Sequence, residues 1–156
     1  MGEDNFLPCY FYGGDKVTFQ ELINLTKVYT RDTDSRIFTD ADIRMFINQG
    51  IDRIRQYNVF ESMEYLSNLS DTPKLLPSMY HYILALFAAS RLFDTDERFY
   101  EGTEKRNEFE EVFANIVERI ENGTLTITDE NGFAVDNTMS AIDHVADVYF
   151  KGVIAE

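Results

Sequence analysis

The stretch LLPSMYHYILALFAASRLF, Leu75 to Phe93, decides how this chain folds. Pro77 stands where a proline is tolerated, in the first turn of a helix, because its missing N–H would have had no partner there. From Tyr80 to Phe93 the residues are apolar nearly all round, with no polar face to give to water. A helix of that kind is built to be buried among others. The spacing predicts this helix over 77–93. It ends in a small-residue patch, Ala88, Ala89 and Ser90, followed by Arg91.

Working outward, a short acidic break leads to a second pattern with one apolar side. Phe109, Phe113 and Ile116 recur at helical spacing among charged residues, with Arg106 just before them. A helix over 96–122 is expected to lie on the buried one and face water with its other side. Asn122-Gly123 supplies its stop.

Upstream, Thr18 and Glu21 have the spacing of a capping box, in which hydroxyl and carboxylate satisfy free amides at a helix start. Phe19, Leu22, Ile23, Thr26 and Tyr29 continue it as a helix over 18–30. Thr39 to Asp42 reads as a second cap, its acids placed well against the helix dipole. Ile43, Phe46, Ile47, Ile51, Ile54 and Tyr57 form the clearest amphipathic stripe in the chain, over 40–57. Gly50 falls on the apolar side of that stripe and is expected to admit a close neighbour. Phe60, Met63 and Leu66 sit three apart, so a short helix is plausible within 59–69.

After residue 123 the character changes. Thr124 to Thr128 alternates with period two, Asp129 to Gly132 is a turn signal, and Phe133 to Val135 resumes the alternation. A small β-hairpin projecting from the bundle is expected over 123–136. Residues 1–17 read as an aromatic, extended arm ending in a glycine turn. Residues 137–156 read as an amphipathic tail. The fold class that follows is mainly α: an antiparallel bundle of about four helices over 18–122, with a small β-hairpin and extended terminal arms.

Length and composition set the limits of function. The chain has 156 residues, enough for one domain with a real core. Acidic residues outnumber basic ones 28 to 14, giving a formal charge of −14. That charge disfavours binding to phosphate backbones, since no excess of cations displaces counterions. The one cysteine, Cys9, makes no intramolecular disulfide and has no metal-ligand spacing around it. The acidic start lacks a targeting pattern, and no apolar run is long enough to span a bilayer.

Chemistry is hard to place in the sequence. His81 lies inside the most apolar helix and reads as a hydrogen-bonded core or interface histidine. His144 is flanked by Asp143 and Asp147, but three ligands on one short tail rarely close a metal site. The turn Asp129 to Gly132 lacks the ligand spacing of a calcium loop, as does Thr30 to Asp34. Arg53 and Arg55 could touch a phosphate, although pairs one turn apart on a solvated helix face are commoner. No phosphate loop, nucleophile elbow or zinc-protease motif occurs. The sequence therefore reads as a non-enzyme, with no catalytic residue, no cofactor and no metal expected.

What remains is apolar surface at both ends. Tyr10, Phe11 and Tyr12 at one end, and Ile142, Val145, Tyr149, Phe150 and Val153 at the other, are the candidate partner-binding residues. Such ends bury themselves on another subunit or pack back on their own core, and both routes stay open here.

Several of these features occur together in a known order. Phe38-Thr39-Asp40 opens an amphipathic helix. Leu76-Pro77 opens an apolar helix that carries Ala88, Ala89, Ser90 and Arg91. A long helix with Glu108, Phe109 and Glu110 follows. Over about residues 18–122 this resembles the head-to-tail connector (adaptor) proteins of tailed bacteriophages. The resemblance implies a helical subunit in a homo-oligomeric ring, twelve-fold in that family, beneath the portal protein. Such a ring extends the channel through which DNA passes without specific binding, and it docks tail or neck proteins. It also implies location in the virion neck after synthesis in the bacterial cytoplasm, with no membrane association. Two alternatives are another phage neck or tail-completion protein, and a monomeric host helical module that binds one protein partner. A hydrolase with an acid pair hidden in the sequence is a third.

Overall fold

The structure, a computed structural model, describes residues 16–135. Four α-helices make up the described part: α1 (Phe19–Thr30), α2 (Asp40–Arg55), α3 (Ile83–Thr95) and α4 (Phe99–Glu121). The mainly helical fold expected from the sequence is therefore what the chain adopts.

Local signals set the starts of α1 and α2. Thr18 Oγ1 accepts from the Glu21 N–H while Glu21 Oε1 accepts from the Thr18 N–H. Thr39 and Asp42 repeat the arrangement on α2. Two more free amides at the start of α1 are met from far away. Phe19 N–H donates to the Asp71 carbonyl at 2.7 Å and Gln20 N–H to the Leu69 carbonyl at 3.1 Å. A loop fifty residues downstream is thereby stitched to the start of α1.

Three helices end in the same six-residue closure. The N–H of Asp32 reaches the Lys27 carbonyl, that of Arg98 the Phe93 carbonyl, and that of Thr124 the Arg119 carbonyl. Each closure needs a left-handed residue. Gly123 supplies it after α4, but Arg31 and Glu97 supply it after α1 and α3, each with φ 60°. The helix expected over 96–122 therefore begins at Phe99, because Asp96 to Arg98 are spent closing α3.

Packing centres on α3. Nine of its thirteen residues are buried, against four of twenty-three in α4, and it packs on all three other helices. Asp94 meets Arg106, Phe87 meets Phe109 and Tyr80 meets Arg119, so α4 runs back along α3. Gly50 faces Leu84 and Phe87, and Arg91 lies over the Phe46 ring, so α2 is also antiparallel to α3. Lys27 pairs with Asp40 and Arg44 lies over Phe19, which sets α1 antiparallel to α2. The close approaches depend on small residues. A Cβ on Gly50 would sit 3.2 Å from Leu84 Cδ2. One on Gly102 would sit 3.0 Å from the Ser90 carbonyl oxygen and press on the Asp94 carboxylate.

Three expectations need correction. The buried helix was expected from Pro77, but Pro77 is extended at ψ 144° and leads into a 3-10 turn, Ser78–Tyr80, with α3 starting at Ile83. The His81 ring explains this: its bond to the Leu76 carbonyl holds the preceding segment in a tighter path. The short helix within 59–69 is a single 3-10 turn, Asn58–Phe60. Phe60, Met63 and Leu66 are buried without further helix, because Asn48 holds the Leu66 backbone as a neighbouring strand would. Its Nδ2 donates to the Leu66 carbonyl at 3.0 Å and its Oδ1 accepts from the Leu66 N–H at 2.9 Å. The projecting hairpin is a turn closed by one bridge, Thr128 to Ala134, with no strand among the described residues. Its base is anchored by Ile127, buried in the main core, while residues 130–134 at its tip are exposed.

Candidate functional site

The partner-binding candidates Tyr10, Phe11, Tyr12, Ile142, Val145, Tyr149, Phe150 and Val153 lie outside the described residues, as does His144. The described residues offer two surface features of their own, and their polar groups decide which chemistry is open to them.

Most of the side chains that could have been catalytic are engaged in holding the fold. His81 is almost fully buried. Its Nδ1 accepts from the Val17 N–H at 3.2 Å and its Nε2 faces the Leu76 carbonyl at 2.7 Å, a pairing that requires the neutral Nε2–H tautomer. Burial pushes its pKa down to about 4, so the ring is neutral at ordinary pH. It clamps the entry of α1 to the segment before α3, as a core histidine should. Asp32 accepts from the N–H groups of Arg36, Ile37 and Phe38. Burial works against its charge, but these amides more than offset that and hold the carboxyl below its usual range. Asp129 accepts from Asn131 and Phe133, which makes it a turn former.

The arginines behave differently from the expected same-helix pairs. Arg53 reaches across to α4, with Nη2 2.7 Å from Glu110 Oε1 and Nε 3.1 Å from Oε2, and its guanidinium lies over Phe113. Arg55 donates to the Glu61 carbonyl and covers Tyr65. Among the described residues, no group of three or more His, Cys, Asp or Glu side chains is placed to hold a metal ion. None of the described helices is long and apolar enough to cross a membrane.

The first surface feature is the corner between α3 and α4. Glu97 turns the chain, and Arg98 folds over the Phe93 ring at 4.6 Å while pairing with Glu101. Phe99 and Tyr100 are left standing 60% and 79% exposed, beside the exposed Asp96, Glu97 and Glu104. Sequence reasoning passed over this pair. The signal was a weak one: adjacent residues on a helix point about 100° apart, so a narrow apolar stripe does not readily take both. From the corner, the outer side of α4 carries the exposed acids Glu104, Glu108, Glu111 and Glu118.

The second feature is a cleft of about 320 Å³ between the segments 73–78 and 125–130, backed by His81. Its walls are joined by the ion pair of Lys74 with Glu130 at 3.3 Å. Leu75, in one wall, takes the left-handed conformation at φ 68°. The cleft's lining also holds Ser78, Asp129 and Glu130, but His81 and Asp129 are engaged with backbone groups and Lys74 with Glu130. The cleft therefore suits docking better than bond-making.

No family model matches the chain. No curated protein and no solved structure is significantly similar to it.

Proposed function

We propose that this chain is a structural subunit of a tailed-phage neck: a head-to-tail connector (adaptor) that forms a ring under the portal, extends the DNA channel and docks the tail. In this reading it catalyses nothing and takes no cofactor. The observation that carries the proposal is the exposed Phe99–Tyr100 corner on a helical framework whose central histidine and aspartates are committed to structure. Large aromatics held in water on a rigid corner are typical of surfaces that become interfaces. The acids along α4 add support, because a channel through which DNA slides should not grip phosphates. The order of sequence features from Phe38 to Glu110 supports the same family. Apolar residues at both chain ends supply further contacts, with neighbouring subunits or the portal.

The test is the mass of the particle formed when the purified chain is mixed with a purified portal ring. A ring of subunits added to each portal, twelve in the family's pattern, is the expected result. Deleting residues 137–156 should leave the helical circular dichroism intact and abolish the addition. Failure of the undeleted chain to join any portal or neck component would overturn the reading. Binding to a tail-completion component in place of the portal would move the chain to another position in the neck.

A further inference from the structure

The cleft beside His81 has a specific feature that bears on what fills it. Its rim includes Lys16, the first described residue, and Val17 is fixed to His81 by a hydrogen bond. The chain before Lys16 therefore starts at the mouth of the cleft. Tyr12 lies four residues before Lys16 and Tyr10 six. At full extension these spans reach roughly 14 and 20 Å. Between them and the rim stand Gly13 and Gly14, whose freedom in φ permits the chain to double back.

The lining suits an aromatic guest. Leu76, Pro77, Leu125 and Ile127 give apolar walls, Lys16 places an ammonium group at the rim, and Lys74 there is paired with Glu130, with Asp129 beside it held by the turn's own amides. A Phe or Tyr ring offers an apolar body for such walls and a π face for a cation. A volume of about 320 Å³ is at the small end for a ligand site. We propose that in the free subunit this cleft is occupied in cis by the chain's own aromatic segment Tyr10–Tyr12. A short tether gives that segment a millimolar effective concentration at the cleft. A second copy has no such advantage at the dilution of the free subunit. Docking would keep aromatic surface of that segment out of water before any partner is met. It does not depend on the chain belonging to a phage neck.

The single cysteine, Cys9, sits next to the segment and accepts one nitroxide label without a new mutation. The experiment measures paramagnetic relaxation of backbone amides in the isotope-labelled chain. Strong enhancement at Leu76, His81 and Ile127 is expected, with loss of the enhancement in a Tyr10→Ser/Phe11→Ser/Tyr12→Ser variant. These substitutions lie outside the described core, so the cleft itself is left intact. Enhancement that survives the triple variant would reflect the tether alone and overturn the proposal. Absence of enhancement would overturn it too. So would enhancement seen only when spin-labelled, isotope-free chain is mixed with unlabelled isotopic chain, since that outcome assigns the cleft to a second copy.

Discussion

The four helices and the segment that wraps them, Tyr57 to Tyr82, are held by different forces. The helices meet through broad apolar faces: α3 buries residues on every side, and Phe109 stacks on Phe113 and meets the edge of Phe87. The wrap buries Phe60, Met63, Leu66 and Leu76 but has almost no regular structure. Individual polar ties hold its path: Asn48 to Leu66, the amides of Phe19 and Gln20 to Asp71 and Leu69, and His81 to Leu76 and Val17. The comparison teaches where the fold is redundant and where one side chain decides.

The largest effect is expected in the framework. Phe109 is fully buried at the α3–α4 contact, and Phe109→Ala should cost about 4 kcal/mol. Denaturant unfolding should show helix and wrap probes shifting together. If the wrap alone loosened, the two regions would not be mechanically ranked as described.

The next effect separates the regions by pH. His81 has a folded pKa of about 4, pushed down by burial from the ordinary histidine value of 6.5. The unfolded chain therefore binds the extra proton first as pH falls. The stability from the neutral ring is full above about pH 6.5 and is lost between there and about pH 4, a total of about 3 kcal/mol. Protonation also turns Nδ1 into a second donor facing the Val17 N–H. His81→Gln should flatten the slope of stability against pH in this window, measured as the difference from the unsubstituted chain. An unchanged slope would remove His81 from its role.

Asn48→Ala should cost about 2 kcal/mol, because it leaves the Leu66 N–H and carbonyl without their partner. Hydrogen exchange should speed up around Leu66 while amides of α3 stay protected. Equal acceleration in α3 would show the wrap to be part of the same cooperative unit. The smallest effect has the opposite sign. Glu97 holds a left-handed conformation that costs an L-residue about 1 kcal/mol. Glu97→Gly should raise stability by about that amount, read as a higher unfolding midpoint.

The same division explains what the sequence could tell. Caps at Thr18 and Thr39, the stripe of α2, the close approach at Gly50 and the stop at Gly123 all rest on residues close in sequence, and all are found as expected. The closures at Arg31 and Glu97 carry no glycine, so their left-handed turns gave no signal, although the end of α1 at Thr30 falls where it was expected. The path of 61–77 was illegible because its main ties come from α1, α2 and His81, and a spacing of three suits a wrapping segment as well as a helix. Arg53 found Glu110 on another helix for the same reason. Gly102 went unremarked because its close partner, Ser90, belongs to a different pattern. Of the candidate site, the terminal aromatics lie outside the described residues. The adjacency of Phe99 and Tyr100 only hinted at the exposed corner, since the adjacent pairs Phe46–Ile47 and Leu92–Phe93 are both buried.

That corner gives the most direct test of the account, that a structurally committed helical framework serves assembly. A Phe99→Ser/Tyr100→Ser variant changes only strongly exposed side chains. Its mass should be measured in a mixture with the portal ring, beside its circular dichroism. The account predicts an unchanged helical spectrum together with loss of the ring of added subunits. A variant that still completes the ring would contradict it, and the Phe99–Tyr100 corner would then not be an assembly surface.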